Sequence, residues 1–305
     1  MSSFVDTCFK LSKTHDYTFF TVHTLFWLIG HYLLSDNKKP IESKNNGPKN
    51  KKLPPYKLTK IEKIFATIMI SVTIINILLR ISKGVPHWLI QPCHVLSVIL
   101  ICVLLDKNSS SNLFYLYFYT LWMPVFGLLA VPDDSWFYYS WEPFVFYLHH
   151  YTMVLIPFYY LIFNHRFHAH FKSKTSLSYE HYFNPKLSSF KNRIKLFVQI
   201  FILGMLYHTV VLGFGGLLLD EDFNSMRCRF PGGEMLGIWW REALSVGGLI
   251  VGILVAMIPD TIFHYFLHKD NNNQQQTKST PSSNFISDLF NYVNTLVKSE
   301  IKKNE

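Results

Sequence analysis

The chain places a thiol and several imidazoles where hydrocarbon should be. Cys93, His94, His149, His150 and His208, together with His23 and Arg241, all lie inside long apolar stretches. Polar side chains are costly there, so their presence suggests a site rather than decoration. The chemistry that fits is nucleophilic. A thiol attacks only once deprotonated, and an imidazole within hydrogen-bond reach is the base suited to neutral pH. His94 adjoins Cys93, but successive helix positions point about 100° apart, so a histidine from another helix is the better base.

The elements that must hold these groups are membrane helices. The 305 residues are 49% hydrophobic, with a mean hydropathy of +0.15, and the apolar residues gather into runs long enough to cross a bilayer. Seven candidate spans follow: Tyr17–Ser35, Ile61–Ser82, His87–Leu105, Asn112–Val131, Phe144–Phe163, Lys195–Leu219 and Leu236–Leu267. Histidines lower the hydropathy of the first and fifth, so six is the alternative count. The expected fold is all-α, a polytopic membrane helix bundle over residues 1–268. Residues 269–305 form a separate tail. In it, Asn271–Gln276 is a low-complexity spacer. Phe285, Ile286, Leu289, Phe290, Val293, Leu296 and Val297 then recur at the spacing of a short amphipathic helix, lying on the membrane or docked on the bundle. No cleavable signal peptide is expected, because the first apolar stretch is long and lacks a small-residue cleavage pattern.

The net charge of +9 does not point to nucleic acid, because much of it sits in the Lys38–Lys60 and His165–Lys195 loops, against membrane spans. With seven spans, the amino terminus and even-numbered loops hold 6 basic residues, against 22 in the odd-numbered loops and tail. The positive-inside rule then places the amino terminus in a lumen or outside and the tail in the cytoplasm. An endoplasmic reticulum or Golgi membrane is the expected location. The basic loops read as surfaces attracted to anionic lipid heads. On that topology Cys8 and Cys228 share the oxidising side, and a bridge between them would tie the amino terminus to the sixth loop. Cys102, in an aliphatic run, reads as packing. Phe114–Tyr119 and Trp136–Tyr139 read mostly as lipid-facing or interfacial-belt residues.

Depth ties the polar residues together. Counting a rise of about 1.5 Å per residue from each lumenal end puts Cys93, His150, His23 and Arg241 about 8–9 Å deep, and His208 about 16 Å deep. Separate helices delivering polar groups to one layer argue for a site, and the matching depths pair Cys93 with His150. Pro92 removes a helical hydrogen bond and is expected to kink the third span beside Cys93. Glu142-Pro143 reads as a helix start. Glu142 is too far along that helix to be the imidazole's partner, and reads as a boundary or headgroup contact. Arg241 reads either as a ligand for a lipid phosphate or as a side chain snorkelling to the surface.

Other constellations fit less well. Haem ligation by facing histidines would call for a duplicated pair at matching spacing, which the sequence lacks. His165, His168 and His170 make one histidine box where di-iron lipid oxidases need several. Seven spans alone do not argue for a receptor, and no Gly/Pro-broken helix pair suggests transport. A serine nucleophile elbow, a P-loop and a dinucleotide fingerprint are all absent.

Gln91-Pro92-Cys93-His94, the Glu142…His150…Pro157 run, and Tyr207-His208 followed by Asn224, Met226 and Cys228 occur in that order. Together they resemble the transmembrane protein 164 family, and the seven-span layout extends the similarity over most of the chain. The resemblance implies a fold related to the androgen-inducible membrane lipid hydrolases, in which a Thr and a His do the work. It also implies a cysteine acyltransferase that moves an acyl chain from a phospholipid to a lysophospholipid, a lyso ether phosphatidylethanolamine. The family's nucleophile and base fall on Cys93 and His150. His94, His149, His208, Glu142 and Arg241 are supporting residues, and the adjacent His149 leaves open which imidazole is the base. The expected partners are the two lipids and the bilayer itself, with no metal and no cofactor. A lipid hydrolase and a non-enzymatic receptor or scaffold are the alternatives.

Overall fold

The computed structural model describes residues 12–34, 56–107, 111–129, 137–164, 166–167, 189–224, 226–228 and 233–265. The tail, the His165/His168/His170 box and Cys8 lie outside the described residues. All regular structure described is helical. In chain order it comprises α1 (Lys13–Leu34), α2 (Lys60–Ser82), α3 (Pro92–Leu105), α4 (Ser111–Phe118), α5 (Trp122–Leu129), α6 (Glu142–Tyr159), α7 (Phe190–Leu206) and α8 (Trp240–Gly252). A π-helical turn extends α6 over Tyr160–Asn164, α7 over Tyr207–Phe214 and α8 over Ile253–Met257.

With α4 and α5 taken as one broken rod, seven rods follow the seven expected segments in order. Five are long and apolar enough to cross a membrane: Lys60–Ser82, Asn112–Leu129, Glu142–Asn164, Phe190–Leu219 and Met235–Tyr265. The chain is therefore a polytopic helical membrane protein. Two rods fall short of the expectation. α1 has 22 residues but does not meet the hydropathy of a span. α3 has only 14, about 21 Å of helix against a hydrocarbon core of about 30 Å.

Local chemistry sets the breaks. Thr59 caps α2: its side chain accepts from Glu62 N–H while the Glu62 carboxylate accepts from Thr59 N–H, a reciprocal capping box. Pro124 explains the gap between α4 and α5, because a proline ring clashes with the carbonyl four residues back, at Thr120. Pro157 likewise frees the Met153 carbonyl within α6, and the Tyr117 hydroxyl donates to that oxygen at 2.8 Å. Tyr117 thereby locks α4 onto α6.

The core corrects one expectation. Phe114, Tyr115, Tyr117, Phe118 and Tyr119 are buried in the bundle rather than turned to lipid. The tyrosine hydroxyls explain why this segment turns inward: Tyr115 and Tyr119 donate to Asp260 at 3.2 and 3.0 Å. Tyr138 and Tyr139 remain exposed, as expected of a belt. Cys102 is also exposed, so it lies on the bundle surface and does not pack.

Candidate functional site

α3 begins at Pro92, and this changes the local picture around Cys93. The expected kink is instead a helix start: a 3₁₀ turn over Pro86–Ile90 ends at Gln91, and Pro92 opens α3. Proline suits the first helical position, whose N–H has no intrahelical partner anyway. Cys93 is therefore the second residue of a helix, a free and partly accessible thiol. The positive end of the helix favours an anion at that place. The Arg80 guanidinium, near the end of α2, is within electrostatic reach of the thiol, and so is Tyr207. The Tyr207 hydroxyl donates to the Ile90 carbonyl and fastens the α7 π-turn to the turn that precedes α3.

Three imidazoles gather beside this helix start. The His94 and His149 rings lie parallel with centroids 6.0 Å apart, and His149 meets His150 at 5.3 Å. Hydrogen bonding separates their capabilities. The Ser97 hydroxyl donates to the Cys93 carbonyl at 2.6 Å, so it accepts from His149 Nε2. Asn76 Nδ2, a donor, faces His149 Nδ1 at 3.5 Å. Both His149 nitrogens are engaged, which makes it a positioning group. His150 is different. Its Nδ1 donates to the Phe146 carbonyl at 2.9 Å, which fixes the tautomer and leaves the Nε2 lone pair open. The ring lies over Gly127, where a Cβ would come within 2.6 Å of Nε2. No hydrogen bond joins the Cys93 thiol to an imidazole among the described residues.

The remaining sequence candidates sit elsewhere. His208 donates from Nδ1 to the Gly204 carbonyl at 2.8 Å, accepts from Asn224 at 3.0 Å through Nε2, and stacks on Trp122. His23 stacks on Phe19 and lies 3.9 Å from Glu242, so its neighbours are not those of Cys93. Glu142 is the expected boundary group, accepting from Lys83 at 2.5 Å and from the Tyr138 and Tyr139 N–H groups. Arg241 contradicts both of its readings. It is 3% exposed, pairs with Asp16 at 2.5 Å, and packs against the Phe19, Phe20 and Trp240 rings. Asp16 also faces Arg227, so this carboxylate clasps α1 to α8 and to the segment after α7. Cys228, next to Arg227, is disulfide-bonded. Its expected partner Cys8 is outside the described residues. Nearby Asp222 is pushed up to about 6 by burial, against the pull of the Arg227 and Cys228 N–H groups and of the Arg227 and Arg241 charges.

Sequence reasoning missed Arg80, Asn76, Ser97 and Gly127. A signal existed for three of them: Asn76 and Arg80, like Cys93 and Ser97, are four residues apart on apolar helices, and so share a face. Gly127 gave none, because its role is to be small beside a ring from another helix.

Neither the curated proteins nor the solved structures hold a match to this chain. The TMEM164 family profile matches residues 11–259, from just before α1 through α8 and its π-turn. The chain belongs to the TMEM164 family.

Proposed function

We propose that the protein is a membrane phospholipid acyltransferase that works through a Cys93 acyl-thioester. The observation that carries this reading is a free thiol at a helix start next to His94, which opens a cluster of three imidazoles where His150 alone keeps Nε2 open while Nδ1 is bonded. His150 Nε2 takes the Cys93 proton, and the thiolate attacks an ester carbonyl carbon of a phospholipid. The carbon–oxygen bond breaks, and the imidazolium returns its proton to the departing lysolipid oxygen. The acceptor lysophospholipid then gives its hydroxyl proton to His150 and attacks the thioester, and the thiolate leaves and is reprotonated. The Cys93 N–H, in the first turn of α3, is one donor placed for the oxyanion. On this reading a bound lipid brings Cys93 and His150 within hydrogen-bond reach, since catalytic pairs are commonly loose until substrate is bound. His149, held by Ser97 and Asn76, keeps the α3 and α6 turns in register.

Both substrates arrive laterally, so the site needs no entry path from water. The charge bias of the loops orients the chain with Cys93 towards the lumenal leaflet and the tail in the cytoplasm, in an endoplasmic reticulum or Golgi membrane. A lyso ether phosphatidylethanolamine is the acceptor we favour. The test is purified protein in nanodiscs, given a phospholipid with a labelled acyl chain and a lysophosphatidylethanolamine. Label transferred to the acceptor, with a hydroxylamine-sensitive label on Cys93, is the expected result. Free fatty acid alone would make the protein a hydrolase. No label movement, with wild type and Cys93→Ala alike, would leave the scaffold reading.

A further inference from the structure

The described residues include five arginines, and four of them face a carboxylate. Arg166 pairs with Glu62 at 3.1 Å, Arg193 with Asp260 at 2.9 Å, Arg227 with Asp220 at 2.9 Å and Arg241 with Asp16 at 2.5 Å. Arg80 has no carboxylate within ion-pairing distance among the described residues. Glu142, the carboxylate that acts on it electrostatically, is already taken by Lys83 and two backbone N–H groups. The guanidinium lies over the Trp88 ring at 5.3 Å, and its Nε is buried without a hydrogen-bond partner. An unpaired cation in a helix bundle is expensive, and a retained one marks a missing anion. The cation–π contact with Trp88 places the guanidinium, and its unbonded Nε leaves a donor for a tetrahedral oxyanion.

Position identifies the anion. Arg80 is two residues from the end of α2, where headgroups lie, and is also within electrostatic reach of the Cys93 thiol. In a glycerophospholipid the phosphate sits a few bonds from the ester carbonyls. A lipid held by its phosphate at Arg80 therefore presents its ester, or the free hydroxyl of a lysolipid, at the depth of Cys93. We propose that Arg80 is the phosphate anchor of this site and makes it selective for phosphate-bearing lipids over neutral glycerides. This rests on the acyl-transfer reading only in naming what Cys93 does next.

The experiment separates the two. Binding is measured by native mass spectrometry on full-length Cys93→Ala protein, which holds lipid without turning it over, with lysophosphatidylethanolamine and with a monoacylglycerol of the same chain. The Cys93→Ala protein should prefer the phosphate-bearing lipid. Adding Arg80→Gln should cut its affinity for that lipid about tenfold and leave the monoacylglycerol unchanged, as expected for losing a charge-assisted contact. Arg80→Lys keeps the charge without the fork, so it should lose less and still fold if Arg80→Gln does not. An unchanged preference in both variants, or an equal loss for both lipids, overturns the assignment. Millimolar inorganic phosphate should not displace the lysolipid; displacement would assign the site to free phosphate instead. None of these outcomes depends on whether a Cys93 thioester forms.

Discussion

Asp260 and Arg80 sit at opposite ends of one bundle, and their surroundings differ in kind. Asp260 is 0% exposed and gathers Arg193, Tyr115, Tyr119 and His264 around its two oxygens. At the same end Glu62 takes Arg166, the Tyr56 hydroxyl and the Thr59 N–H, and Arg166 also reaches the carbonyls that end α3. Tyr56, beside that carboxylate, has its phenol pushed up to about 12 by burial and by Glu62. The polar groups here bind the rods to one another. Around Cys93, by contrast, no carboxylate among the described residues pairs with Arg80, whose Nε is buried without a hydrogen bond, and among the described residues the thiol bonds to no imidazole. Buried polarity in a membrane bundle thus takes two forms. Arginines closed by a carboxylate fix the fold, and a cation without one leaves room for a ligand.

The comparison breaks most directly by exchange of outcomes. Cys93→Ala should lower acyl transfer at least about a thousandfold, and His150→Asn about a hundredfold or more, with unfolding temperatures near wild type. Asp260→Asn should do the reverse. It leaves Arg193 charged and buried, and such a break costs about 3–5 kcal/mol. Thermal unfolding in detergent beside a transfer assay reads both. If Asp260→Asn melted like wild type while Cys93→Ala did not, the two ends would have been assigned the wrong way round.

Gly127→Ala sharpens the contrast within the site. One methyl at 2.6 Å from the His150 ring must move that ring, and a displacement of about 1 Å in a catalytic group can cost about 10²-fold in rate. The helix itself gains propensity from alanine, so the loss should come without unfolding. Ser97→Ala is milder. It removes the hydroxyl between His149 and the Cys93 carbonyl, about 1 kcal/mol, hence about fivefold in rate. Ser97→Ala more impaired in transfer than Gly127→Ala would favour His149 over His150 as the proposed base.

Much of this was legible in residue order, and the failures share a cause. Seven apolar runs gave seven rods, because hydrocarbon permits little besides helix. Pro143 marked a real helix start for the reason given, a first-turn position that needs no N–H. Pro92 was placed correctly and interpreted wrongly. Within a run read as one continuous span it looks like a kink, and only the 3₁₀ turn before it shows that the helix begins there. Arg241 and the Phe114–Tyr119 aromatics were misread because one sequence cannot say which face of a membrane helix meets protein. Asp16, the partner of Arg241, is 225 residues away. Cys93 stood out as a lone thiol in an apolar segment, whereas Arg80 was counted only as loop charge. Its meaning comes from the carboxylate it lacks, and that is a property of packing.

The smallest expected effect lies just outside the membrane. Burial holds the Asp222 proton to about pH 6 in the folded chain, whereas an unfolded aspartate releases it near the ordinary carboxylate value of about 4. The folded state therefore binds the proton more tightly. Its contribution to stability is full below the unfolded value and is lost as pH rises through about 6. The segment it supports joins Asp222 to the Arg227 N–H at 2.7 Å, beside the Asp16 clasp and disulfide-bonded Cys228. Amide exchange over residues 220–228 should accelerate between pH 5 and pH 7.5 by more than intrinsic base catalysis accounts for. Asp222→Asn, neutral throughout, should remove that excess and leave acyl transfer unchanged. An excess that persists in Asp222→Asn would move the titration to another group of the clasp. Transfer activity that followed the same curve would tie the clasp to Cys93, and the separation between structural and reactive polarity at this end would fail.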